Sequence, residues 1–187
     1  MKAKYRFPPR LLCVLLCAVL LLGLCACGGD TYYKVIDTYS QDGSFVIAFR
    51  QDDRLCDLVT AAMRELTANG TMKTTSYVWF GENLIALKGE EGALDEYRSD
   101  MAETRTLTVG VDITNMPMSY EGADGYKGFD VDLANYICGA LGYSMVIYPI
   151  DPSDIEVELA SGNIDMAMGV PETTTEQLAL PPRCSGP

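Results

Sequence analysis

Between Leu107 and Val170 the chain alternates short β-rich runs with amphipathic helical runs, and this constrains the fold more than anything else in it. LTVGV, YSMVIYPI and NIDMAMGV are brief apolar stretches rich in Val, Ile and Met, bounded by Gly, Pro and Asp, as buried strands are. Between them lie FDVDLANYICGALG, with Ala134, Ile137, Cys138 and Leu141 on one helical stripe, and DIEVELASG, with Ile155 and Leu159 inward. Strands joined this closely through helices run parallel, cross over right-handedly and need cover on both faces. All carboxyl ends of such strands lie on one edge of the sheet, where open α/β sheets bind ligands.

The connections carry the local signals. Asp112 closes the first strand and opens a loop through Asn115 and Pro117 to Tyr120; Gly122 to Gly128 reads as a hairpin. The glycine spacing is not that of a dinucleotide loop, and no helix follows Gly110 at once. Asp130 is placed to cap the next helix, with Asp132 in its first turn and Gly142 closing it. Ser153-Asp-Ile-Glu156 reads as a capping box. Met166 and Met168 line the third strand.

Two words in this stretch, GFDVDL at Gly128–Leu133 and LASGNIDMAMGV at Leu159–Val170, stand in an order and spacing that resemble the opening of type 2 periplasmic solute-binding proteins of the polar amino acid family, family 3. The resemblance implies an α/β fold, a three-layer parallel-type sheet with flanking helices forming one lobe of that binding fold. It implies a membrane-anchored component of an ABC importer that holds a small polar solute such as an amino acid and docks on a permease. It also implies site residues. Asp112 would meet a ligand's amino group, with Asn115 and Tyr120 in the same loop. Gly169 or Val170 and Thr174 would hold a carboxylate. The chain departs from the pattern at Asn115 and Met118, where the family places aromatic rings, at Glu172, where it has a Thr, and at Gln177, where it has an Arg. A cation or an uncharged polar solute therefore fits as well as an amino acid. Structural roles stand beside these: Asp112 as a turn cap, Tyr120 as a core ring, Glu172 facing solvent, and both acids of GFDVDL serving the helix.

Residues 44–81 resemble the closing element of the same family. Ser44 to Arg50 reads as a buried strand, Asp52 or Asp53 as a helix cap, and Leu55, Leu58, Val59, Ala62, Met63 and Leu66 as the stripe of a helix ended by Asn69-Gly70. The cluster Tyr77-Val-Trp79-Phe80-Gly81 follows. In the family this element comes after the second lobe; here it precedes 106–177, across an acidic linker at 82–105. The order fits a circularly permuted lobe, since domain termini commonly lie close together. The alternative is a fusion scar between two tandem domains.

The N-terminus reads as an address. Lys2, Lys4, Arg6 and Arg10 precede an apolar run too short to span a bilayer, ending in Leu24-Cys-Ala-Cys27. This resembles a lipoprotein signal at 1–26. It implies a diacylglycerol and acyl chains such as palmitate on Cys27, a tether at 27–43, and anchoring on the extracytoplasmic face of the bacterial membrane. Cys56 and Cys138 read as small core residues, with a disulfide possible outside the cytoplasm. The 26 acidic against 14 basic side chains, net −12, disfavour nucleic acid. The lack of any His removes the commonest general base and metal ligand. No enzymatic activity, metal or cofactor is expected. Residues 178–187 match nothing in the family, and the reading expects a second lobe lost by truncation or a shifted frame. A one-lobe lipoprotein with little or no ligand binding is the alternative function.

Overall fold

The computed structural model describes residues 34–39, 45–50, 53–101 and 103–171, with the backbone alone at 34–39, 45 and 171. Among the described residues seven strands form: β1 (Lys34–Tyr39), β2 (Phe45–Phe49), β3 (Thr106–Val111), β4 (Tyr120–Gly122), β5 (Gly125–Lys127), β6 (Ser144–Pro149) and β7 (Met166–Pro171). Four α-helices accompany them: α1 (Leu55–Ala68), α2 (Thr71–Phe80), α3 (Phe129–Leu141) and α4 (Ile155–Ser161). The main sheet runs β1-β2-β7-β3-β6. β3 pairs in parallel with both β6 and β7, as the βαβαβ pattern demands. β2 enters antiparallel beside β7, and β1 antiparallel beside β2. The sheet is therefore mixed, with a parallel centre.

The strands alternate as a sheet buried on both faces requires. Ile47, Phe49, Leu107, Val109, Val111, Met166 and Met168 face the larger core under α1 and α3. Val46, Ala48, Ala167 and Val170 face a smaller core with Ile155 and Leu159 of α4. A Cβ at Gly110 would sit 2.7 Å from Ile164 Cδ1 and 2.8 Å from Ile150 Cδ1, so a side chain there would require both Ile side chains to shift. The result is a three-layer α/β arrangement.

Several local expectations need correction. Residues 34–39, read as tether, form an edge strand. A second helix, α2, follows Gly70, whose φ of 84° turns the chain directly from α1. Its sequence, TMKTTSYVWF, is rich in β-branched residues that disfavour helices. Tertiary packing and Thr hydroxyls bonded back to carbonyls (Thr74 to Gly70 O, 3.0 Å; Thr75 to Thr71 O, 2.9 Å) accompany it. Of the two cap candidates, Asp53 serves α1, its Oδ1 accepting from Leu55 N at 2.9 Å; Asp52 lies outside the described residues. The capping box at Ser153 does not form. Asp151 caps instead, accepting from Ser153 N (2.9 Å) and Oγ (2.7 Å), which holds its carboxyl below the ordinary range.

Segment 82–105 is polar but not loose. It makes a single 3-10 turn at Asp95–Tyr97 and packs Ile85, Leu87, Leu94, Tyr97 and Met101 against the larger core. Cys138 is a free buried thiol pushed up to about 11 by burial, and so inert. Cys56 is buried as expected and disulfide-bonded, the alternative that the sequence left open.

Candidate functional site

The site expected at the carboxyl edge of the parallel strands is built from the ends of β3 and β7, the loop 112–119 and the amino end of α3. Asp112 follows β3 directly. Its Oδ1 accepts from Thr114 N at 2.9 Å and Thr114 Oγ1 at 2.6 Å, and its carbonyl accepts from Asn115 N at 3.2 Å. Asp112 therefore caps its own turn while staying half-exposed at the edge. Asn115 is half-buried, and its carbonyl accepts from Ser119 N at 2.9 Å. Met118 is buried in the larger core and anchors the loop from beneath. The Met116–Pro117 bond is cis.

This loop also explains the glycine of GFDVDL. The carbonyls of Pro117 and Met118 accept from Phe129 N (3.1 Å) and Asp130 N (2.9 Å), satisfying donors that a helix start leaves open. The approach is so close that a Cβ at Gly128, φ 136°, would collide with the Met118 carbonyl. No side chain caps α3. The expectation of an Asp130 cap is overturned because the loop backbone takes that role. Phe129 instead packs on Phe80, ring centroids 5.0 Å apart, and Asp132 accepts from Trp79 Nε1 at 2.8 Å.

Asp130 is the feature that sequence reasoning missed. It is 1% exposed, and its Oδ1 has no hydrogen-bond partner. Burial lifts its pKa from 3.8 to about 7, opposed by a hydrogen bond from Ser119. Nothing in the spacing of two acids at a helix start separates the buried one from the bonded one. The nearest signal was Gly169. β7 carries one extra residue against β2 between Ala167 and Val170, and Gly169, φ 65°, lies in that bulge. A Cβ at Gly169 would strike the Asp130 carboxyl.

The remaining candidates divide. Tyr120 opens β4 and meets Trp79 edge to face at 6.4 Å, half-buried. Val170 is 3% exposed, its side chain in the smaller core, which leaves only its backbone available to a ligand. Thr174, Glu172, Gln177 and the lipidation candidate Cys27 lie outside the described residues. Among the described residues no group of three His, Cys, Asp or Glu side chains is placed to hold a metal, and no helix is long and apolar enough to cross a membrane. Three concavities, of about 320, 620 and 700 Å³, border α1 and the 86–101 segment, away from the strand edge. The strand edge gathers the half-exposed Asp112 carboxylate and the Gly169 bulge.

Residues 107–179 match the bacterial extracellular solute-binding proteins, family 3. The matched region contains β3 to β7 and so the whole candidate edge. No curated protein matches the chain. Among solved structures, a Streptococcus pneumoniae ABC uptake transporter substrate-binding protein with bound histidine is 36% identical over 40% of this chain and 29% of its own, with a TM-score of 0.33. A polar amino acid ABC uptake transporter substrate-binding protein from Streptococcus thermophilus is 36% identical over 40% of this chain and 27% of its own, TM-score 0.33. The L-cystine solute receptor of Neisseria gonorrhoeae is 24% identical over 35% and 28%, TM-score 0.33. The chain thus spans under a third of each of these relatives.

Proposed function

We propose that this chain is a solute-binding lipoprotein of an ABC importer, and that its β3–β7 edge forms one wall of a cleft for a small polar solute such as an amino acid. The observation that carries the reading is the coincidence of the family 3 match with the edge that combines Asp112 and the Gly169 bulge. In this reading Asp112 meets a cationic or hydrogen-bond-donating group. Asn115 and Tyr120 border it, and Gly169, Val170 and Thr174 offer backbone N–H groups and a hydroxyl. An open edge does not enclose a ligand; in this reading a second lobe supplies the facing wall, and closure follows from ligand contact with both walls.

The reading includes a permuted lobe at 44–81 and 106–177 and a lipid anchor at Cys27. Support for the permutation is the insertion of β2 beside β7 and the packing of α2 on α3, which give the two pieces one sheet and one core. The lipid anchor and the permease partner rest on the sequence resemblance. The test is saturation-transfer NMR of the full chain with amino acid and polyamine pools. One pool should give transfer that Asp112→Ala removes; absence of transfer from every pool returns the chain to the one-lobe alternative with little or no binding.

A further inference from the structure

Asp130 is a buried ionisable group that the solute-binding reading leaves unused. Three segments close on it: Ser119 from the loop after β3, Gly169 from the β7 bulge, and the first turn of α3, whose Asp130 N–H donates to Met118 O at 2.9 Å. The contact at Gly169 is as close as a missing side chain permits. The carboxyl is fully enclosed, yet Oδ1 has no partner among the described residues.

Among the described residues no charged side chain offsets it. On the loop, Asp112 is turned onto Thr114. Within α3, Asp132 is bonded to Trp79. On β5, Lys127 pairs with Asp124 at 3.7 Å. Beside β7, Asp165 is held by Arg105 (2.8 Å) and Arg50 (3.4 Å) at the opposite end of the strand. The α2 cation, Lys73, lies over Tyr77. Among the described residues, burial and the Ser119 hydrogen bond are what act on Asp130.

We propose that Asp130 is a proton-operated latch: neutral, it lets the loop, the amino end of α3 and the β7 bulge close around it; ionised, it opens that junction to water and displaces the strand end at Gly169. The helix amino end favours the anion, but only by a fraction of the desolvation it faces. On ionisation the proton leaves to solvent and the carboxylate must gain water, which the closed junction excludes. Because the folded-state pKa is raised from 3.8 to about 7, the stabilising contribution of the neutral carboxyl is complete below the ordinary value and is lost as pH rises through about 7. The device goes beyond the binding reading and needs no solute.

Trp79 is the only tryptophan of the chain, and it touches both α3 at Asp132 and β4 at Tyr120, so its emission reports on the junction. The experiment is a pH titration of Trp79 fluorescence on the full chain from pH 5 to 9, without solute. The expected result is a reversible change with a midpoint near 7, absent in Asp130→Asn, which keeps the acid-form spectrum throughout. A flat wild-type profile, or the same transition in Asp130→Asn, overturns the latch. Should Asp130→Asn fail to fold, carboxyl-carbon NMR of the wild type decides. An Asp carbon titrating near 7, with Ser119 and Gly169 amides moving at the same midpoint, supports the latch. All Asp carbons titrating within the ordinary carboxyl range overturn it. Neither experiment contains a ligand, so failure here leaves the solute-binding reading standing, and the reverse.

Discussion

Asp112 has an observed role as a turn cap and a proposed role as a ligand contact, and a single substitution separates them. As a turn cap it needs an acceptor for Thr114; as a ligand contact it needs charge. Asn keeps the first and removes the second. Asp112→Asn is expected to change stability by less than about 0.5 kcal/mol, as a surface change does, while abolishing solute binding. Equilibrium denaturation and calorimetry on the same variant check this, and a large loss of stability would assign the residue to structure alone. Gly169→Ala tests the bulge. A side chain at φ 65° is strained by about 1–3 kcal/mol, before its contact with the buried Asp130 carboxyl. We expect at least about 2 kcal/mol of destabilisation in urea, and a near-neutral result would mean that the bulge is not held as described.

Among the elements, those with strong periodicity were legible: α1, α3 and the three parallel strands follow from apolar spacing. α2 was not, because its Thr and Val content speaks against a helix and its formation depends on docking Trp79 and Phe80 against α3. β1 was not, because KVIDTY sits among polar residues and gains strand form by pairing with β2. Asp130 and Asp132 look alike in sequence; only the packing of Ser119 and Gly169 on one and Trp79 on the other divides them. The α2–α3 contact carries its own prediction. Trp79→Phe keeps the ring but removes the indole donor to Asp132, a hydrogen bond to a charged group worth about 1.5–3 kcal/mol. The loss should appear in denaturant midpoint, and Asp132→Asn should cost little more in the Trp79→Phe background, because the two share one interaction.

At the scale of the molecule, β1 and β2 complete a sheet whose parallel part lies later in the chain. Arg50, just after β2, ties these parts: it donates to Ile164 O (2.8 Å) and Leu159 O (3.3 Å) and pairs with Asp165. Arg50→Lys keeps the charge but loses the planar fork. It should cost about 1–2 kcal/mol without breaking cooperativity, since two half-buried carbonyls lose their donor. A change below about 0.3 kcal/mol would show that the tie is incidental. The central claim is that this assembled lobe is folded and presents a working solute edge. The most direct measurement is a thermal melt of the full chain, alone and with pools of amino acids and small polyamines. Ligand at 100 times its dissociation constant adds about 2.7 kcal/mol, or roughly 5–10 °C in a domain of this size. The account predicts one cooperative transition, raised by one pool. A cooperative transition that no pool moves would contradict the binding claim, and the absence of any cooperative transition would contradict the lobe itself.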